Sequence, residues 1–176
     1  MTKRRPPKNQ PDSDFATLLR LGTQALQQGQ AEKAAALLER AHRLNPTDYH
    51  VTLNLAGAYI LRKKFQQAIE LLEPLSQREP NDPMVWTNLG AAYLGNPILA
   101  KDEHHHKAID AFKKAYHIDA QTPHVAYNLG LIYRDRHETD EAIAWFKRAL
   151  ATNPADKDAR NYIRQLSEQH ENSPLH

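Results

Sequence analysis

The feature that most constrains this chain is a sequence pattern that returns at regular intervals. The pattern reads W-x2-L-G-x2-Y from Trp86 to Tyr93, and it is followed by Ala108 and Phe112, four residues apart. Related residues recur before and after this stretch. The predicted units are residues 15–48, 49–82, 83–122 and 123–156, and all but the third are 34 residues long. A period of this length indicates a chain built by stacking one small supersecondary unit.

Each unit has the spacing of two helices that pack against each other. In the first unit Leu18, Gly22 and Ala25 share one face of a helix, and apolar groups at this spacing must be buried. The second half of each unit carries the stripes Ala34/Leu38/Ala41, Ala68/Leu72/Leu75, Ala108/Phe112/Ala115 and Ala142/Phe146/Ala149. Gly90 and Gly130 take the place of Gly22 in later units, where a small residue lets two helices approach closely. Because one hairpin cannot cover its own apolar face, neighbouring hairpins are predicted to stack into a solenoid.

With these residues the chain resembles the tetratricopeptide repeat (TPR) family over about four fifths of its length. All eight signature positions are recognisable in the third and fourth units, with Ala120 in place of proline and Ala126 in place of tryptophan. The resemblance implies an all-α fold, a right-handed α-solenoid of four helix-turn-helix hairpins with a C-terminal capping helix. It also implies a scaffold used for many partners, and the fold alone does not name an activity.

The repeat array is predicted to fill residues 14–169, between two disordered ends. Residues 1–13 contain four basic residues and three prolines with almost nothing apolar, so they cannot offset the entropy cost of folding and are predicted to form a disordered basic arm. Residues 157–169 carry one apolar stripe with charge elsewhere, which predicts a helix that caps the last repeat. Residues 170–176 are predicted to be a disordered tail.

The third unit holds an insertion of six residues relative to its neighbours. The stretch Gly95 to Lys107 begins with a helix-stopping Gly-Asn-Pro and includes His104, His105 and His106. We expect an inserted loop or a short extra turn, and such insertions sometimes carry a specific contact. Since successive residues of a helix point about 100° apart, the three histidines cannot converge on one ion, and no metal site is predicted.

Polar residues at the unit junctions are predicted to cap the helices that follow them. The predicted caps are Ser13 or Asp14, Asp48, Asp82, Thr122 and Asp156. Pro83 and Pro123 fall where a helix start tolerates proline. Pro74 instead falls inside the second helix of the second unit, where a kink or an early end of the helix is expected.

The composition argues against an enzyme and gives no reason to expect a cofactor. The chain has no cysteine, which removes disulfides, thiolate nucleophiles and thiolate zinc sites. It also lacks a glycine-rich phosphate loop and the H-E-x-x-H and G-x-S-x-G motifs. The acidic residues mostly precede helices or face outward, so pairing any two as acid and base would be arbitrary.

Charge and hydropathy are equally unspecific about partners other than proteins. Residues 1–14 carry four basic and two acidic side chains, and they account for the whole formal net charge of +2. The repeats therefore have no basic surplus, and nucleic-acid binding is not predicted. The apolar runs are far shorter than a membrane span and the N-terminus lacks an apolar signal core, so no membrane association and a cytoplasmic location are predicted.

The resemblance implies that the first helix of each hairpin lines a concave groove with its second, fifth, sixth, ninth and thirteenth residues. The sixth position reads Arg20, Asn54, Asn88 and Asn128. A side-chain amide offers one acceptor and two donors, so it can pair with both groups of a peptide bond without reading side chains. The predicted peptide-binding residues are Arg20, His50, Asn54, Thr87, Asn88, His124, Tyr127, Asn128 and Arg134.

The sequence therefore predicts a non-enzymatic scaffold that binds an extended segment of another protein in its groove and helps to assemble a complex. Asparagine is also common at this position of the idealised repeat, so a solvated and unoccupied row of amides is an open alternative. A second functional alternative is self-association, in which the chain is a homo-oligomeric structural scaffold.

Overall fold

A computed structural model describes the backbone of residues 10–95 and 102–171. Side chains are described for residues 14–95 and 102–169. Within these ranges the chain is helical and contains no strand. The helices are α1 (Gln10–Gln27), α2 (Ala31–Leu44), α3 (Tyr49–Leu61), α4 (Phe65–Arg78), α5 (Pro83–Leu94), α6 (Asp102–Ile118), α7 (Val125–Asp135), α8 (Thr139–Thr152) and α9 (Lys157–Glu171).

The chain divides into two compact units, an N-terminal unit of residues 1–77 and a C-terminal unit of residues 78–176. In the N-terminal unit α1 packs on α2 and on α3, and α2 also packs on α3. In the C-terminal unit α5 packs on α6, α6 on α7, α7 on α8 and α8 on α9. The predicted all-α solenoid class is confirmed.

A glycine at the predicted small position brings two helices together in the N-terminal unit. A Cβ atom added at Gly22 would lie 2.6 Å from Cγ of Leu38, a distance that side chains do not tolerate. Leu38 is fully buried, as are Val51 and Leu72. This tight contact is the physical reason why glycine occupies the position that faces the leucine of the partner helix, 16 residues later.

The C-terminal unit repeats this arrangement with aromatic partners. A Cβ atom at Gly90 would lie 2.9 Å from the Phe112 ring, and one at Gly130 would lie 2.7 Å from the Phe146 ring. Both rings are fully buried. The expectation that a small residue allows close approach of the paired helices is thus confirmed in both units.

Three of the predicted helix caps are confirmed. The Asp48 carboxylate accepts a hydrogen bond from the Val51 backbone N–H at 2.8 Å, and the Asp82 carboxylate accepts from Met84 at 2.8 Å. The Asp156 carboxylate accepts from two backbone N–H groups at the start of α9, each at 3.0 Å. These side chains satisfy N–H groups that the first turn of a helix leaves without partners.

The other caps are wrong. Helix α1 already begins at Gln10, so Ser13 and Asp14 lie inside it, and residues 10–13 of the predicted arm are helical. Thr122 does not cap α7, because the chain passes through a left-handed residue, His124, before the helix begins at Val125. Residues 1–9 of the arm and residues 172–176 of the tail lie outside the described residues.

An early helix end at Pro74 and a helix start at Pro123 are not observed. Helix α4 does not end at Pro74 but runs from Phe65 to Arg78 with the proline inside it. The buried side chains of Leu72 and Leu75 on either side hold the helix in place despite the backbone hydrogen bond that proline cannot donate. Pro83 occupies the first turn of α5 as predicted, whereas Pro123 lies before α7 rather than at its start.

The turn inside the described hairpins uses one left-handed residue at a fixed place. Gly29, Lys63 and His137 have φ angles of 69°, 58° and 62°. In each turn the N–H of the next residue donates to the carbonyl five residues earlier, as in Gln30 to Ala25 at 2.9 Å. This bond pattern ends a helix with a Schellman motif. Glycine adopts this conformation without strain, whereas lysine and histidine do so at a cost.

The insertion lengthens a helix at its N-terminal end. α6 has 17 residues, three more than α4 or α8. When Ala108 is aligned with Ala68 and Ala142, the added residues are Asp102, Glu103 and His104, and His105 and His106 follow directly. Arg136 holds the turn, because its guanidinium donates to Asp102 at 2.6 Å and to Glu138 at 2.5 Å. The short extra turn is therefore observed, while residues 96–101 lie outside the described residues.

Candidate functional site

The predicted binding residues of the N-terminal unit differ in how they are engaged. Arg20 on α1 and His50 at the start of α3 are exposed, and the His50 ring lies edge-on to Tyr49 with centroids 5.0 Å apart. Asn54 is half-buried, and its side-chain N–H donates to Thr23 Oγ1 at 2.8 Å. The Asn54 amide therefore already uses one donor in a hydrogen bond that links α3 to α1.

The corresponding amides of the C-terminal unit are not engaged. Asn88 on α5 and Asn128 on α7 are both half-buried, and neither side-chain amide has a hydrogen-bond partner among residues 14–95 and 102–169. Thr87, beside Asn88, turns its hydroxyl back to the Pro83 carbonyl at 2.7 Å. The two asparagines therefore keep their donors and acceptors available to water or to a ligand.

His124 and Tyr127 lie one turn apart at the beginning of α7. His124 is exposed and adopts a left-handed conformation with φ 66°, which is uncommon for residues other than glycine and concentrates at functional sites. The half-buried Tyr127 ring meets the Phe146 ring edge-on, with centroids 5.7 Å apart and an interplanar angle of 66°. His124 is thus an exposed residue in a strained conformation, and Tyr127, one turn later, contacts the aromatic core.

The capping helix adds a third ring and a cation to this cluster. Tyr162 stacks on Phe146 with centroids 5.1 Å apart and planes 17° apart. The Arg134 guanidinium carbon lies 4.7 Å from the Tyr162 ring centroid, and this guanidinium also donates to Asp135 at 2.6 and 2.9 Å. Arg134, one of the predicted peptide-binding residues, is therefore already paired in the protein.

A cavity of about 200 Å³ opens beside these residues, within the C-terminal unit. We call it the Thr122 cavity, and its walls include Thr122, His124, Tyr127, Ala149, Asn153 and Asp156. The Thr122 side chain is only 5% exposed, and its hydroxyl has no hydrogen-bond partner in the described part of the chain. A buried hydroxyl without a partner costs about 1–3 kcal/mol of stability.

Two acidic side chains lie near this wall. Burial raises the pKa of Tyr127, and the nearby Tyr162, Asp158 and Asp156 raise it further, while Arg134 acts in the opposite direction. Asp156 is a wall residue of the cavity itself. A cation placed here would be favoured by these carboxylates.

Thr122, Asp156 and Tyr162 were not predicted as site residues. The sequence predicts both Thr122 and Asp156 as helix caps, and Asp156 combines that role with a place in the cavity wall. Tyr162 follows Asn128 by 34 residues, so extending the repeat period into the capping helix would have found it in register with the asparagines. No comparable signal exists for Thr122, because its burial depends on how the backbone turns before α7.

The inserted turn offers no metal centre among the described residues, which contain no group of three or more histidine or acidic side chains placed to hold an ion. His105 is half-buried, and its Nε2 atom has no hydrogen-bond partner in the described ranges. In the same ranges no helix has the length and apolar character needed to cross a membrane.

Comparison with known proteins agrees with this architecture. Two family models described as tetratricopeptide repeat match residues 25–92 and residues 123–156, and together they cover more than half of the chain. A paired-helix repeat protein of this kind is a scaffold for protein–protein interaction. The chain belongs to the tetratricopeptide repeat family.

Solved structures of other repeat proteins are similar over most of their length. The crystal structure of TTC0263, a thermophilic TPR protein of Thermus thermophilus, is 26% identical, covers 89% of this chain and 82% of its own, and has a TM-score of 0.75. A mutant of MamA is 25% identical, with 91% and 90% covered and a TM-score of 0.71. MamA AMB-1 is also 25% identical, with 91% and 84% covered and a TM-score of 0.70. No curated protein matched the sequence.

Proposed function

We propose that this protein is a scaffold that binds an extended peptide segment of a partner on the inner helices α5 and α7 of its C-terminal unit. The observation that carries the proposal is the pair Asn88 and Asn128, two half-buried amides at the same repeat position without partners in the described chain. Each amide has the donors and the acceptor needed to pair with one peptide bond. Main-chain recognition of this kind holds an extended chain and leaves selectivity to neighbouring pockets.

The neighbours of these asparagines suit the same role. Tyr127 presents a half-buried ring and His124 an exposed imidazole, so the surface combines an apolar wall with polar groups. Protein ligand sites are typically built in this way, with a few polar groups that fix orientation. Arg20, His50 and Asn54 are proposed as a separate contact surface on the N-terminal unit.

The proposal is tested by selecting peptides from a random display library on the wild-type chain and measuring the affinity of the best peptide by calorimetry. We expect the double variant Asn88→Ala/Asn128→Ala to bind at least tenfold more weakly, because each asparagine loses one or more neutral hydrogen bonds to the peptide backbone. The matched control is Gln121→Ala, which removes an exposed amide from the same unit. Equal affinities of the double variant and the wild type would refute the proposal.

A further inference from the structure

The Thr122 cavity has the size of a pocket for one side chain. Its volume is about 200 Å³, below the range of about 300–1,000 Å³ that is usual for pockets of whole small-molecule ligands. His124 and Tyr127, both predicted peptide-binding residues, belong to its wall. A peptide lying along α7 could therefore place one side chain in this cavity.

The walls of the cavity combine an apolar surface with a single carboxylate. Tyr127 and Ala149 provide the apolar part, while Asp156 provides the charge, and the wall contains neither lysine nor arginine. One Asp156 oxygen, Oδ1, caps α9. The other, Oδ2, accepts no hydrogen bond from the described residues, so it remains available to a donor.

A second acidic residue lies near this wall, and Arg134 acts on Tyr127 in the opposite direction. Asp158 lies two residues farther along, and both acids raise the pKa of Tyr127, after burial and Tyr162. A cation placed beside both groups is attracted by the quadrupole of the aromatic ring and by the negative charge of the carboxylate. Thr122 also belongs to this wall, and its buried hydroxyl has no partner in the described chain.

We propose that the Thr122 cavity is a specificity pocket for a lysine side chain of the bound peptide. The methylene stem of the lysine would lie against Tyr127 and Ala149, and its ammonium group would meet Asp156 Oδ2. Lysine suits such a site because its apolar stem can be buried while its charged end is paired. This inference rests on the proposed peptide-binding function.

The test compares two blocked pentapeptides on the 176-residue chain. One has lysine at the centre of four alanines, and the other has norleucine, which has a similar side chain without the charge. Binding is followed by NMR titration of the isotope-labelled protein. We expect the lysine peptide to bind about tenfold more tightly and to shift the backbone amide signals of Thr152 and Asn153. The norleucine peptide should shift those two signals only at about tenfold higher concentration.

Two variants separate the pocket from the groove. Asp156→Asn keeps a side chain that caps helices well but removes the charge, and it should abolish the preference for lysine; Asp140→Asn, an exposed acid of α8, should retain it. Equal binding of both peptides to the wild type, or binding of neither, would overturn the pocket. If lysine is preferred while Asn88→Ala/Asn128→Ala changes nothing, the pocket stands and the groove proposal fails.

Discussion

The two units of this chain share one architecture but differ in how they use their polar groups. In the N-terminal unit the Asn54 amide donates to Thr23 and the Tyr59 hydroxyl donates to Glu39. In the C-terminal unit the amides of Asn88 and Asn128 have no partner in the described part of the protein. The same repeat position therefore serves internal cohesion in one unit and is left available in the other.

This difference shows where recognition is best sought in a repeat protein. A half-buried amide that is not used within the fold stays available to water or to a ligand, and natural proteins depart from internally consistent designs mainly at functional sites. The repeat pattern alone cannot distinguish Asn54 from Asn88, because both fit it equally well. The hydrogen bonds around them make the distinction.

The largest expected effect concerns the close helix contacts on which both units depend. Gly130→Ala should lower the free energy of unfolding by about 2–3 kcal/mol, because the new methyl group would lie 2.7 Å from the buried Phe146 ring and overpack the core. In Gly57→Ala the nearest atom is 3.7 Å away, so this control should be neutral or more stable by up to about 1 kcal/mol. Urea unfolding measures both, and equal losses would contradict the packing account.

The next effect tests how firmly a polar group is held in the N-terminal unit. Burial, followed by the hydrogen bond and charge of Glu39, raises the pKa of Tyr59 from 10.0 to about 12. The pKa of Tyr59 is higher in the folded than in the unfolded chain, so the protonated hydroxyl stabilises the fold. This stabilisation is fully present below pH 10 and is lost as the pH rises towards 12. We expect wild type to lose about 1 kcal/mol more stability than Tyr59→Phe between pH 9 and pH 11.

Thermal unfolding at several pH values measures this loss of stability. Tyr59→Phe is the control for the wild type, because all other tyrosines and lysines titrate in both proteins. Identical pH profiles of the two proteins would show that Tyr59 ionises no differently in the folded and the unfolded chain.

A smaller effect compares the asparagines directly through stability. Asn54→Ala should cost about 1 kcal/mol, since it removes the hydrogen bond to Thr23 and that is the usual net value of such a bond. Asn88→Ala should be neutral or slightly stabilising, because no bond within the described chain is lost and alanine favours the helix. If Asn88→Ala were as costly as Asn54→Ala, the contrast between the units would be wrong.

The smallest effect is a gain. Thr122→Val keeps the shape of the side chain and removes a buried hydroxyl that has no partner among the described residues, so the variant should be more stable by about 0.5–1 kcal/mol. Thr52→Val is the matched control, since the Thr52 hydroxyl donates to the Asp48 carbonyl at 2.8 Å. Calorimetric melting compares the two, and a loss of stability in Thr122→Val would mean that the hydroxyl is satisfied.

Much of the fold could be predicted because it depends on spacing. Residues such as Gly22 and Leu38 are fixed by the helical period and by the need to cover an apolar face, and both are visible in the sequence. The early helix end expected at Pro74 is wrong, because burial of the neighbouring leucines outweighs a local preference. The left-handed backbone conformation of Lys63 and His137 cannot be predicted from the sequence, because glycine is the only residue type that clearly indicates it.

The candidate site was less predictable. The repeat register correctly drew attention to Asn88 and Asn128, but it could not indicate that Asn54 is engaged by Thr23. Thr122 was interpreted as a cap, since threonine before a helix usually is one, and the bend at His124 was not foreseeable. Whether a polar side chain is paired depends on neighbours in space, which the order of residues specifies only indirectly.

The most direct test of the central claim is to observe the asparagine side chains while a peptide binds. The side-chain amide signals of Asn54, Asn88 and Asn128 can be assigned in NMR spectra and followed as the peptide selected by display is added. We predict large shifts for Asn88 and Asn128 and little change for Asn54. Saturation of the protein with peptide while the signals of Asn88 and Asn128 stay in place would contradict the claim.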